Sequence, residues 1–187
     1  MYNEHNPKIA AAMRADPYIF ARGCLFAIAS IRQPITAVPA QLEEIDEKGP
    51  KAKALFGHKR AAYDYVMKHR ADLLSSILAA PDNAARLALL CNVPGLGIVK
   101  SAFILQLLGY DVACLDSRNV KREGRNARAF REPYTRNKIA QYLFETEGRA
   151  AYYWDAWCSE VAGYYDLTPL AVSALHLCIV PEESVPF

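Results

Sequence analysis

Apolar positions recur three and four residues apart along most of the chain, and alternation with a period of two never persists. This pattern predicts ten or so helices and no meaningful sheet. Asn6-Pro7 opens the first helix, with Asn as cap and Pro at the first helical position. Asp16-Pro17 opens a second through Ile31, carrying Ile19, Phe20, Cys24, Leu25 and Ile28 on one stripe, and Gln33-Pro34 ends it. After an extended link at residues 37–40, Pro39 can open a short helix reaching Glu47, and Lys48-Gly49-Pro50 breaks the chain. Residues 51–80 read as helical with an interruption near Gly57. Pro81-Asp82-Asn83 caps a helix that runs to Cys91. Glu132-Pro133-Tyr134-Thr135 opens a helix to Glu147, closed by Gly148. An aromatic-rich helix covers Ala150 to Tyr164, and Thr168-Pro169 opens a last one to Val180. No repeat is present, so the reading is one all-α domain over residues 1–187.

The most informative stretch is Val93-Pro94-Gly95-Leu96-Gly97, followed by the apolar run Ile98 to Leu108. It reads as helix, tight turn, helix, with the hairpin spanning about residues 83–109. Two glycines in five residues allow positive φ and close backbone approach. The second helix opens at Gly97, so its free amides form an anion site, with a DNA phosphate as the expected occupant. Pro94, Gly95 and Gly97 are therefore candidate DNA-binding residues. A plain helical hairpin buried in a core accounts for the same residues.

Composition narrows the classes. At 187 residues and 52% hydrophobic, the chain can bury a real core. No apolar run approaches the ~20 residues of a membrane span, and the polar start Met1-Tyr2-Asn3-Glu4-His5 lacks a signal-peptide core. Cysteines 24, 91, 114, 158 and 178 show no C-x-x-C, which fits reduced thiols in a cytoplasm. Histidines 5, 58, 69 and 176 are scattered, so no metal site is expected.

Charge adds a partner. Net charge is only +2, but residues 118–138 hold eight bases (Arg118, Lys121, Arg122, Arg125, Arg128, Arg131, Arg136, Lys138) against Glu123 and Glu132. That is +6 in 21 residues and −4 elsewhere. Such asymmetry is the footprint of a polyanion partner. A solvated charged loop is the plainer alternative. Arg125 and Arg128 are further candidate DNA contacts.

Val-Pro-Gly-Leu-Gly, a helix, and then Leu115-Asp116 about twenty residues on resemble the helix-hairpin-helix and Gly/Pro-Asp signature of the DNA glycosylase superfamily. Leu115-Asp116-Ser117-Arg118-Asn119-Val120-Lys121-Arg122 also resembles the Leu-Asp-x-Asn-Val-Lys-Arg run of adenine-mismatch glycosylases, with one residue inserted. The resemblance is close over residues 85–125 and loose elsewhere. It implies a helical bundle of two lobes flanking a groove, with Asp116 at the groove's mouth as the catalytic carboxylate. Asp116 also suits a helix N-cap, and the two roles are compatible. Iron–sulfur members carry four closely spaced C-terminal cysteines; only Cys158 and Cys178 follow Asp116, so no cluster is expected.

Bifunctional glycosylases place a Schiff-base lysine two residues after the second hairpin glycine. That position is Val99 here, with Lys100 one later; Lys100-Ser101-Ala102 resembles the motif's Lys-Thr-Ala. One residue turns a helical side chain by ~100°, so Lys100 is a candidate nucleophile or a phosphate contact. Trp154 and Trp157 are candidate platforms for a flipped base, or core. By its spacing Trp154 shares a face with Cys158, and Trp157 points elsewhere.

Together with Asp116-Ser117-Arg118-Asn119 and Ser173-Ala174-Leu175-His176, the Trp154-Asp155-Ala156-Trp157-Cys158 stretch resembles a phage branch of the superfamily, the alpha-glutamyl/putrescinyl thymine pyrophosphorylases. These are amino acid:DNA transferases of thymidine hypermodification. The resemblance implies replacement of pyrophosphate on 5-(pyrophosphoryloxymethyl)uracil in DNA by an amino acid such as glycine. Arg118, Asn119, Lys121 and Arg122 would then bind the substrate and departing pyrophosphate. It implies DNA and an amino acid as partners, no cofactor, no membrane, a monomer, and a cytoplasmic location in the bacterial host of a phage. A monofunctional glycosylase and a non-catalytic DNA-binding module remain the alternatives.

Overall fold

The computed structural model describes residues 5–124, 126 and 130–164, all α-helices, 3-10 turns and connections; no strand occurs among them. Arg125, Arg128, Cys178, the Ser173–His176 stretch and the helix expected from Thr168 lie outside the described residues, as does the side chain of Cys158.

Among the described residues nine α-helices follow in order: α1 (His5–Ala15), α2 (Pro17–Ala29), α3 (Val38–Lys48), α4 (His58–Ala79), α5 (Asn83–Cys91), α6 (Ile98–Leu107), α7 (Ser117–Arg122), α8 (Arg136–Thr146) and α9 (Ala150–Tyr164). Local chemistry sets several of the starts. The Asp16 carboxylate accepts from the Tyr18 N–H at 2.6 Å ahead of α2, and Asp82 from Ala85 at 2.7 Å ahead of α5. The Thr135 hydroxyl does the same for Lys138 ahead of α8. Residues 52–57, expected to be helical, are not: they connect a 3-10 turn at Gly49–Lys51 to α4, which begins at His58 just after Gly57.

Two helices are buried nearly all round, as apolar helices in the middle of a bundle must be. From Phe20 to Ala29 every residue of α2 except Arg22 is buried, and from Ser101 to Leu107 every residue of α6 is. They pack on one another; α1, α3 and α4 cover α2, and α5 packs on α6, α4 and α8. Arg22 reaches out of α2 to the Asp46 carboxylate on α3.

The turn between α5 and α6 follows the sequence reading, and its glycines answer to protein neighbours. Pro94 and Gly95 are exposed, while Val93 and Leu96 are buried. Gly95 has φ +79°, and a Cβ there would lie 2.4 Å from the His58 carbonyl oxygen. A Cβ on Gly97 would lie 2.8 Å from the Tyr134 hydroxyl, next to the start of α6. The close approach expected for a phosphate is therefore made by the start of α4 and by Tyr134.

Candidate functional site

Asp116 is positioned by a chain of buried polar contacts. After α6, Gly109-Tyr110-Asp111 reverses the chain and residues 112–115 run back as irregular, buried backbone. Backbone there cannot be solvated, so side chains must satisfy it. The fully buried Tyr142 on α8 accepts from the Leu115 N–H at 2.9 Å and donates to the Ala113 carbonyl at 2.8 Å. Asn119 donates to the Cys114 carbonyl at 2.7 Å. The Asp111 carboxylate accepts from Gly148 at 2.9 Å and Ala150 at 3.3 Å, tying the turn to the start of α9. From the end of α7, Glu123 accepts from Arg149 and from the Tyr153 hydroxyl. The segment carrying Asp116 is thus pinned to α8 and α9.

Asp116 caps α7: its Oδ1 accepts from the Arg118 N–H at 3.0 Å and the Asn119 N–H at 2.9 Å. Its Oδ2 has no hydrogen-bond partner among the described residues. The capping role expected from sequence and an available carboxylate oxygen coexist.

That oxygen belongs to a residue bordering an open-sided cavity of about 430 Å³ lined from the end of α2, α6, α7 and α9, within the usual size range of small-molecule sites. Its apolar wall is an aromatic chain: Phe26 to Phe103 at 5.9 Å between centroids, Phe103 to Trp157 at 6.4 Å, Trp157 to Trp154 at 5.5 Å. Trp157 therefore does not point away from Trp154. Residues three apart on a helix are neighbours, and both indoles line the same space.

The polar part holds Lys100, Arg32, Arg118 and Asp116, with Ser30 and Gln33 from the end of α2. Lys100 donates to the Ser30 hydroxyl at 2.8 Å, and Ser30 donates to the Ala27 carbonyl at 2.8 Å. Its ammonium lies 5.6 Å from the Phe103 ring centroid. Val99 borders the same cavity, so both positions weighed for the motif lysine reach it. No carboxylate lies within ion-pair distance of Lys100, Arg32 or Arg118 among the described residues. Three cations and one carboxylate leave the cavity formally +2.

Behind Lys100 lies Lys59, fully buried, donating to the Ala29 carbonyl at 2.9 Å with its Nζ 4.8 Å from the Phe56 ring. Burial, and secondarily the nearby Lys100 charge, hold its ammonium below the ordinary lysine value. The C-terminal end of the α2 dipole offsets part of that cost. Burial pushes the Cys114 thiol up to about 12, with Lys100 pulling the other way and Asp116 adding to the rise.

The structure gathers Lys100, Asp116, Arg118, Asn119, Trp154 and Trp157 around one cavity. Asn119 borders it with its side chain already bonded to Cys114 and to Arg122, at 2.7 and 2.9 Å. Lys121 and Arg122 are exposed and do not line it; Pro94, Gly95 and Gly97 lie at the α5–α6 turn, outside its lining. Sequence reading missed Arg32, Ser30 and Lys59, which come from the end of α2 and from α4. The residue with a local signal was Arg32, just ahead of the Gln33-Pro34 stop that ends α2. No group of His, Cys, Asp or Glu suited to a metal occurs among the described residues, and no described helix is long and apolar enough to cross a membrane. No protein-family model, curated protein or solved structure matches the chain.

Proposed function

We propose that this protein is a DNA-modifying enzyme that takes an extruded pyrimidine base into the cavity, and that it acts as an amino acid:DNA transferase. The observation that carries the reading is the cavity's composition. An aromatic wall suits a planar base, a formal +2 suits an attached polyanion, and one carboxylate oxygen stands unengaged at the edge. The basic run of residues 118–138 supports DNA as the macromolecule.

In this reading the base carries a pyrophosphorylated hydroxymethyl group. The amine of glycine attacks the exocyclic methylene carbon and a C–N bond forms. The C–O bond to the diphosphate breaks, and pyrophosphate departs with the electron pair. Asp116 Oδ2 accepts the proton the amine loses. Cavity cations offset the charge growing on the leaving oxygen. Asp116 needs no lysine nucleophile for this, and Lys100 contributes charge.

One observation favours a second reading. Lys100 borders the cavity alongside Asp116, the pair a glycosylase using a lysine nucleophile would need. Incubation with DNA containing pyrophosphorylated hydroxymethyluracil and glycine, followed by nucleoside mass spectrometry, separates the two. The transferase yields a glycine-bearing nucleoside with its glycosidic bond intact. A glycosylase yields free base and an abasic site, and borohydride would trap Lys100 on the DNA.

A further inference from the structure

Arg32 is the one non-glycine residue at positive φ among the described residues, at +55°. An arginine there is held in a backbone region that L side chains disfavour, and such residues cluster where function requires them. It sits in the connection after α2, is exposed, and borders the cavity. No hydrogen bond or ion pair among the described residues engages its guanidinium. Arg118, from the first turn of α7, borders the same cavity, and its guanidinium is equally unengaged. Arg122, by contrast, is bonded to Asn119 and lies outside.

We infer that Arg32 and Arg118 form a two-armed phosphate-binding subsite that holds the diphosphate of the modified base. This rests on the transferase reading and reassigns its anion clamp from the α7 run to residues on two separate elements. Planar guanidinium forks match phosphate oxygens two at a time, which an ammonium does not. Charge decides between phosphate and the carboxylate of the amino acid. A zwitterionic glycine carries no net charge and leaves the +2 of the cavity uncompensated, whereas a diphosphate offsets it. With Arg32 and Arg118 on the diphosphate, the aromatic wall and Asp116 remain for the base and the amine. The leaving group then departs toward the arginines as the C–O bond breaks, and its negative charge grows against two fixed cations.

The test is calorimetric titration of inorganic pyrophosphate into the wild-type chain, Arg32→Gly, Arg32→Lys and Arg118→Gln, with glycine and unmodified duplex DNA as parallel titrants. Each variant is expected to lose roughly tenfold or more in pyrophosphate affinity, the scale of one charge-assisted contact. Arg32→Lys should behave like Arg32→Gly, because a point charge cannot replace the fork. Glycine and DNA affinities should stay within about twofold. Arg32→Gly should melt at or above the wild-type temperature, since glycine relieves the positive φ. Unchanged pyrophosphate affinity in Arg32→Gly overturns the subsite, as does a marked drop in its melting temperature. A loss confined to glycine or to plain DNA overturns it too, moving Arg32 to the amino acid or the backbone. Pyrophosphate binding that depends on both arginines, in a protein forming no glycine adduct, keeps the subsite and removes the transferase reading. Adduct formation untouched in Arg32→Gly does the reverse.

Discussion

Replacing Tyr142 with Phe removes a single oxygen, and the structure says what that oxygen holds. It accepts the Leu115 N–H at 2.9 Å and donates to the Ala113 carbonyl at 2.8 Å, on a side chain with no exposed surface. The ring keeps its edge-on contact with Phe130, 4.8 Å between centroids at 79°, so packing changes little. The cost is two backbone groups in a buried segment left without partners. At ~1–3 kcal/mol per orphaned buried group, Tyr142→Phe should destabilise by about 3 kcal/mol, the lower half of the two-group range. For a chain of this size that is a fall of roughly 6–12 °C in melting temperature. Urea denaturation with amide exchange checks it: the midpoint should drop, and the Leu115 amide should lose protection more than amides in the middle of α2. Turnover should fall as well, because Leu115 immediately precedes Asp116. A Tyr142→Phe protein within about 0.5 kcal/mol of wild type would refute the claim that this hydroxyl fixes the Asp116 segment.

Three further outcomes follow, two from the structure and one from the charge pattern of the sequence. The Cys114 thiol is raised from 9.0 to about 12 in the fold; its contribution is complete below pH 9 and is lost as pH climbs toward 12. Cys114→Ala should therefore remove a loss of about 1.4 kcal/mol per pH unit above pH 9, read as the difference between the two proteins' urea stabilities. Gly95→Ala puts a Cβ 2.4 Å from the His58 carbonyl at φ +79°, so it should destabilise by at least ~1–2 kcal/mol whether or not DNA is present; a wild-type denaturation midpoint would contradict this. On duplex DNA the log–log salt slope should flatten by about 1.8 when Arg125 and Arg128 are both removed, at ~0.9 per phosphate contact, and an unchanged slope would place both in a solvated loop.

Much of the architecture was legible because local chemistry marks it. Asp82 and Thr135 are caps with free rotation to reach the amides two or three residues on, and Pro17 pre-sets its own φ, so the helix starts could be read from single residues. Apolar spacing placed Phe20, Cys24, Leu25 and Ile28 in the core, but did not show that α2 is buried nearly all round. Contacts between elements were the part that could not be read. Gly95 and Gly97 announce close approach, but nothing near them in the chain says that His58 and Tyr134 are what approaches. Counting from Gly97 put Val99 rather than Lys100 in the motif position; both border the cavity, because a residue's reach depends on the helix's rotation against α2. The two tryptophans were split between faces by a count that ignored the neighbour relation at three residues. Ser30 and Lys59 had no pattern to betray them: Ser30 borders the cavity because α2 ends beside α6, and Lys59 lies outside the lining and reaches the end of α2 at the Ala29 carbonyl.

The central claim is that Asp116 and the cavity replace pyrophosphate with an amine while the base stays on its sugar. The most direct measurement is a single-turnover reaction of radiolabelled glycine with DNA containing pyrophosphorylated hydroxymethyluracil, counting label on DNA and free pyrophosphate in wild type and Asp116→Asn. Asparagine can still accept the Arg118 and Asn119 amides as a cap, so the variant should fold and bind DNA, yet it cannot take a proton. The account predicts one pyrophosphate released for each glycine incorporated by wild type, and a rate lower by at least about two orders of magnitude in Asp116→Asn. Abasic sites without incorporated glycine, or full incorporation by Asp116→Asn, would contradict it.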